Sequence, residues 1–340
     1  ILEIHKRLEN KERIAKDYTF IGLVYERLGR FREALEYLQK AVNLDLERGN
    51  IKGAIAGLFE ITHIYHKLKD KEGIISTFSK IISVCEKGIR KAKVSGKEEV
   101  EKYKEEKKKV MKSLASEFYG KALEYFRNKK FYEAGHYSLK SAQLEEELEE
   151  FEKAIKRRTS AHWNFVDYLL SQKRKEKVSI LFENLKRIEK DGLMLYKRKI
   201  YGEKEWAEIK AKCKKWKADI YFLLEDFKRA AKLLEEGSLI NKEIKERKKE
   251  LRLLFKASIF RFLEGNYFKA EENINRCIET GRECNMKEEE LQALSWKVIY
   301  LLGEKRFKEA EELYNMILQK AEKKYFEYPW MKEFLEVVSD

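Results

Sequence analysis

Proline is almost missing from this sequence. Pro329 is the only one in 340 residues, and 16 glycines add few further helix breakers. No apolar run approaches the roughly 18 residues that a membrane span needs. The opening ILEIHKRLEN lacks the uninterrupted apolar stretch of a signal peptide, so the expected setting is cytoplasmic, with no membrane partner. Cys85, Cys213, Cys277 and Cys284 show no CxxC pairing, and a chain this long needs no disulfide staples. They read as reduced, packed thiols, with Cys277 and Cys284 one heptad apart on one helical face. GxGxxG, GxSxG and the phosphate loop GxxxxGK are all absent, so neither a phosphate cradle nor a nucleophile elbow has sequence support. The start lacks an initiator Met, which suggests a longer parent chain.

What is present is helix-forming. Leu, Lys, Glu, Ile and Ala dominate, 43% of the residues are hydrophobic, and the expected fold class is all-α. With 74 basic and 60 acidic residues but only five Gln, the composition resembles that of hyperthermophile proteins, where ion-pair networks cost less, and a thermophilic source is expected.

A short turn pattern recurs. LGRFREA ends at Ala34, NKKFYEA at Ala134, LEDFKRA at Ala230, EGNYFKA at Ala270 and EKRFKEA at Ala310. A degenerate copy, LKDKEGI, ends at Ile74, and a weaker one, QKRKEKV, ends at Val178. In each, an apolar helical pattern stops, an aromatic residue opens the next helix in the better copies, and a small residue follows three positions later. Two antiparallel helices can then approach closely. Such a pair cannot bury both faces alone, so stacking on its neighbours has to supply the core.

These residues resemble the tetratricopeptide repeat family. In the first unit Tyr18, Ile21, Gly22, Tyr25, Ala34, Leu38 and Ala41 fall at the family's spacing of large, apolar, small, aromatic, small, large and small side chains. Leu58, Ile61, Thr62, Tyr65, Ile74, Phe78 and Ile81 match in part, as do Phe118, Ala122, Tyr125, Ala134, Ser138 and Ser141. The period is near 40 residues rather than the family's usual 34, so longer helices are expected. The resemblance implies a right-handed superhelical solenoid of about seven antiparallel helix pairs over a single array, 1–340. Its repeats lie at about 15–50, 51–94, 113–150, 155–195, 205–246, 248–286 and 287–325, with basic insertions at about 86–112 and 173–217 and a cap at 326–340. By analogy of pattern, long-helix relatives include regulatory segments of transcription activators and signalling ATPases.

No enzyme constellation emerges, and no cofactor is implied. Glu145, Glu146 and Glu147 read as a solvated helix face. His63 and His66 lie three apart, the spacing at which two imidazoles share a metal, but no third ligand is spaced beside them, so no metal site is expected.

The expected work is protein–protein interaction through the concave wall that first helices provide in such repeats. Carried over at family spacing, that wall includes Lys16, Thr19, Leu23 and Arg27, then Phe59, His63, His66 and Lys67, then Tyr119, Leu123, Phe126 and Arg127, and finally Trp163, Asp167 and Leu170. Aromatics beside cations make a peptide groove, or else pack between long helices.

Charge supplies the alternative. Residues 86–112 hold 11 basic and 6 acidic groups, and 173–217 hold 16 and 7, so these two tracts carry +5 and +9 of the net +14. They read either as soluble helical extensions or as a face for an acidic partner or nucleic acid. Trp206, Lys210, Lys214 and Lys217 fall on one helical stripe, expected to be exposed and able to meet a polyanion, while Ile209, Cys213, Trp216 and Ile220 fall on a core stripe.

Overall fold

The computed structural model describes residues 2–172 and 178–339, and among them every regular element is helical. The chain forms two compact units, Ile1–Tyr168 and Leu169–Asp340. The first holds α1 (Leu2–Arg7), α2 (Lys11–Arg27), α3 (Phe31–Glu47), α4 (Ile51–Leu68), α5 (Lys71–Ser95), α6 (Lys97–Arg127), α7 (Phe131–Glu147) and most of α8 (Phe151–Gln172). The second holds α9 (Ser179–Lys197), α10 (Glu203–Leu223), α11 (Phe227–Glu243), α12 (Arg247–Leu263), α13 (Tyr267–Glu283), α14 (Lys287–Gly303) and α15 (Phe307–Lys320). A 3-10 turn over Lys323–Glu327 and α16 (Pro329–Ser339) follow. Packing runs mainly from one helix to its neighbour in sequence, and from α2 to α15 the helices make up about seven pairs.

Three-residue turns set the beat. In the first, the Gly29 N–H donates to Glu26 O at 3.0 Å and the Arg30 N–H to Tyr25 O at 2.9 Å, the double bond pattern of a left-handed helix stop. The same pair of bonds recurs after α3, where Gly49 donates to Leu46 and Asn50 to Asp45. The residue that closes one helix then opens the next: Asn50, Asp70, Asp226 and Asn266 each accept a backbone N–H three residues on. Positive φ falls at 29, 49 and 69, at 129 and 149, and at 225, 245, 265, 285 and 305. A 17-residue helix and a three-residue turn thus repeat every 20 residues, and two of them give the period of 40. The aromatic-and-alanine pattern marks only alternate turns. Residues 173–177, which include most of the QKRKEKV copy, lie outside the described residues.

Small residues bring the paired helices together. Ala34, Leu38 and Ala41 of α3 are fully buried against α2. A Cβ on Gly22 would come within 2.7 Å of Leu38 Cγ, so this crossing requires glycine. The tract 86–112 belongs to a long hairpin in which α5 and α6 run on past the 17-residue length and meet at Gly96. Tyr103, Ala92 and Cys85 are buried along it, and Lys107 pairs with Glu86 at 2.7 Å. Burial pushes the thiols of Cys85, Cys213 and Cys277 up to about 11, 12 and 12. Cys284, expected in the core with Cys277, is instead the half-buried residue that caps α13. No helix of the described residues is long and apolar enough to cross a membrane.

Candidate functional site

In the first unit α2, α4 and α6 are the first helices of their pairs, and α8 takes the same place in the chain order. Glu26 of α2 is buried at its C-terminal end, where it accepts from Lys67 Nζ at 2.8 Å and lies 3.4 Å from His63 Nε2. The fold thus gathers two of the expected wall residues, His63 and Lys67, on one carboxylate. Nearby in sequence, Arg27 is exposed and Phe59 sits at the edge of exposure. His66 is exposed, and among the described residues no three His, Cys, Asp or Glu side chains form a group that could hold a metal.

On α6, Tyr119 is half-buried with the Arg157 guanidinium 3.6 Å above its ring, so one face of this aromatic is already covered. Phe126 is exposed and meets Phe131 edge-on, and Arg127 is exposed. On α8, Trp163 remains 42% exposed and packs edge-on against His162. Asp167 is half-buried, and burial raises its carboxyl above the usual value. Phe126 and Trp163 thus keep the exposure a binding residue needs, whereas Tyr119 is largely committed to packing.

The stripe on α10 differs from its expectation. Trp206, Lys210, Lys214 and Lys217 are all half-buried rather than exposed. Lys214 pairs with Glu236 of α11 at 2.5 Å, Lys217 pairs with Glu189 of α9 at 2.8 Å, and Lys210 lies 5.5 Å from the Trp206 ring centroid. The physical reason is that α9 and α11 flank α10 and bring their own carboxylates to that face, so the stripe is no open cationic track. The companion stripe reads as expected at Cys213, Trp216 and Ile220, which are buried.

The cationic face lies one step around α10. A groove of about 200 Å3 between α10 and α12 is lined by Lys212, Lys215, Lys249 and Arg252, with Glu208, over a floor of Ala211, Asn241 and Leu253. Four cations against one carboxylate give it a charge of +3. Lys249 is held by Glu208 at 3.1 Å and Glu246 at 3.2 Å, and those bonds raise its ammonium. Lys212 and Arg252 are exposed and have no ion-pair partner among the described residues.

A second groove, of about 430 Å3, lies between α2 and α4 in the first unit. All eight residues lining the α10–α12 groove have counterparts in it 196 positions earlier: 12, 15, 16, 19, 45, 53, 56 and 57 answer 208, 211, 212, 215, 241, 249, 252 and 253. Its wall adds Phe20, 69% exposed, with Thr19 and Leu23 beside it. Glu12, Asp45 and Glu60 outnumber Lys16 and Arg48, for a charge of −1. The expected wall contained Lys16, Thr19 and Leu23 but missed Phe20, Lys212, Lys249 and Arg252. Extending the first unit's register to the fifth reaches Lys212.

Residues 15–48 match the family model of the tetratricopeptide repeat. No curated protein matches the chain. Among solved structures, a tetratricopeptide repeat protein from Parabacteroides merdae shows 11% identity over 96% of this chain and 99% of its own, with a TM-score of 0.26. A circular tandem repeat protein of novel repeat topology shows 12% identity over 99% and 89%, with a TM-score of 0.32. A Podosopora anserina protein described as a kinesin light chain with nearly identical repeats shows 12% over 80% and 96%, with a TM-score of 0.20. Residues 15–48 thus match a tetratricopeptide repeat, and paired helices recur in both units.

Proposed function

We propose that this repeat scaffold binds segments of partner proteins in the grooves between its successive first helices, and that the α10–α12 groove takes acidic side chains. The observation that carries this reading is the pair of unengaged cations, Lys212 and Arg252, beside the apolar floor of Leu253 and Ala211. A guanidinium grips a carboxylate through two parallel bonds, and an apolar floor beneath it lowers the local dielectric and strengthens them. In the α2–α4 groove, Phe20 offers contact area to an apolar side chain, and the groove's charge gives no preference for acid. Phe126, Arg127 and Trp163 are further anchors on the first-helix face of the same unit.

A nucleic-acid backbone fits the α10–α12 groove less well. It needs a track of cations, and Lys214 and Lys217, which would extend one, are already paired. Titration of the chain with fluorescein-labelled octaglutamate and with single-stranded RNA, each at two ionic strengths, tests the proposal. The peptide should bind one to one and weaken at the higher salt, as ion pairs at exposed cations do, with RNA binding weaker at both. Absence of peptide binding at low salt would overturn the reading, and tighter binding of RNA would replace it with the alternative.

A further inference from the structure

The α10–α12 groove presents its unengaged cations as a pair, one on each wall. Lys212 comes from α10 and Arg252 from α12, both are exposed, and neither has an ion-pair partner among the described residues. The one carboxylate of the lining, Glu208, is already bonded to Lys249 at 3.1 Å, and half-buried Lys215 adds positive charge on the α10 wall. A side-chain carboxylate brings a single negative charge and so balances only one of the two cations. The other is then covered by the bound segment above the apolar floor of Ala211 and Leu253, where an unpaired charge is costly. A phosphate monoester carries nearly two charges at neutral pH and three strong acceptor oxygens, enough for the Lys212 ammonium and for a two-bond grip by the Arg252 guanidinium.

We infer that the acidic side chain this groove takes is a phosphoserine or phosphothreonine of a partner protein, so that phosphorylation of the partner switches its docking on. This rests on the groove taking acidic side chains, and narrows them to one kind. A short side chain suits the site: its volume of about 200 Å3 lies below the range of small-molecule sites, about 300–1,000 Å3, and fits one phosphorylated residue with an apolar neighbour against Leu253 and Ala211. A nucleic-acid backbone is a diester with one charge per phosphate, and each phosphate leaves the same cation unbalanced that a carboxylate leaves. In the groove of the first unit the matching positions are Lys16 and Ala56, one cation instead of two, and Lys16 is already paired with Glu12 at 2.6 Å. The preference for a dianion therefore belongs to the second of the two grooves.

The test titrates the full chain by calorimetry with three end-blocked peptides, Gly-Ala-X-Leu-Ala-Gly, in which X is phosphoserine, sulfoserine or glutamate. Sulfoserine keeps the tetrahedral shape of phosphoserine but carries a single charge. At about pH 7.5 the phosphoserine peptide should bind about tenfold tighter than either of the others. At about pH 5 the second phosphate proton, with a pKa of about 6, is back in place, and most of that advantage should disappear while the sulfoserine peptide binds as before. Lys212→Gln leaves one unengaged cation, and should shrink the preference for phosphoserine over sulfoserine to about threefold or less. Free O-phosphoserine should bind about tenfold more weakly than the peptide, and binding equal to the peptide's would assign the site to a small phosphate ester and overturn the protein partner. The inference also fails if the phosphoserine and sulfoserine peptides bind alike at the higher pH, or if Lys212→Gln leaves their ratio unchanged. Octaglutamate binding in that case would keep the acidic groove and remove only its preference for phosphate, whereas its failure would remove both.

Discussion

The grooves at α2–α4 and α10–α12 occupy the same place in the repeat yet are furnished differently down to their floors. In the first, Val42 of α3 rises beneath the groove, and Gly57 lies above it so closely that a Cβ there would come within 2.7 Å of Val42 Cγ2. In the second, the counterparts are Ser238 and Leu253: the small residue is now below and the large one above, with Gly237 giving the leucine room at 3.0 Å. Bulk thus sits on α3 in the first case and on α12 in the second. The repeat therefore fixes where a groove occurs, and compensating pairs leave its chemistry free to change.

The largest expected effects break that compensation. Leu253→Gly deletes a buried leucine over a serine and a glycine that cannot fill the gap, and should cost about 3 to 5 kcal/mol in chemical denaturation. Gly57→Leu should destabilise the first unit by about 1 to 3 kcal/mol through overpacking against Val42. Val42→Ser combined with Gly57→Leu reproduces the second groove's pair and should recover much of that loss. If the double variant is no more stable than Gly57→Leu alone, the exchange of size is coincidental.

Charge comes next. Lys212→Glu with Arg252→Glu removes both unengaged cations and should weaken octaglutamate about tenfold to a hundredfold, or about 1.4 to 2.7 kcal/mol. The melting temperature should change little, since both side chains are exposed. The matching positions in the first groove are Lys16 and Ala56, and Lys16→Glu there should leave peptide affinity unaltered. A smaller change sharpens the comparison at the floor. Asn241 is buried where the first groove has Asp45, which accepts from Asn50 Nδ2 at 2.8 Å. Asn241→Asp should place a carboxylate under the cations and weaken the peptide about fivefold, as isothermal titration would read.

The fold was legible to the extent that its determinants are side chains. Tyr18, Gly22, Tyr25, Ala34 and Leu38 declare a helix pair because their sizes set the crossing, and the alanines after Phe131, Phe227, Tyr267 and Phe307 repeat it. The turns between pairs were harder to see. Their left-handed residue is Gly49 in one case but Glu149, Lys245 and Asn285 in others, and the hydrogen bonds that define them are made by the backbone. The site was less legible still. Spacing placed Trp206, Lys210, Lys214 and Lys217 on one face, but which face of a lysine-rich helix is open depends on carboxylates such as Glu189 and Glu236, which reach it from other helices.

The smallest expected effect concerns those turns, and it separates architecture from chemistry. Gly29, Gly49 and Gly265 adopt positive φ without a side chain, whereas Lys69, Lys129, Lys245 and Lys305 hold φ values near 60° against the clash between Cβ and carbonyl oxygen. Nothing lies within 4 Å of a Cβ built on Gly29, so Gly29→Lys tests backbone conformation with no steric conflict. It should lower stability by about 1 kcal/mol, and Lys305→Gly should raise it by up to about the same amount, offset in part by the larger entropy of an unfolded glycine. Thermal melts of the two variants and of their combination would measure both shifts. Because Gly29 and Lys305 lie in different units and line neither groove, the changes should add within about 0.5 kcal/mol and leave octaglutamate affinity untouched. A turn substitution that altered peptide binding would mean that the beat of the helices, and not only the residues they display, sets the shape of the groove.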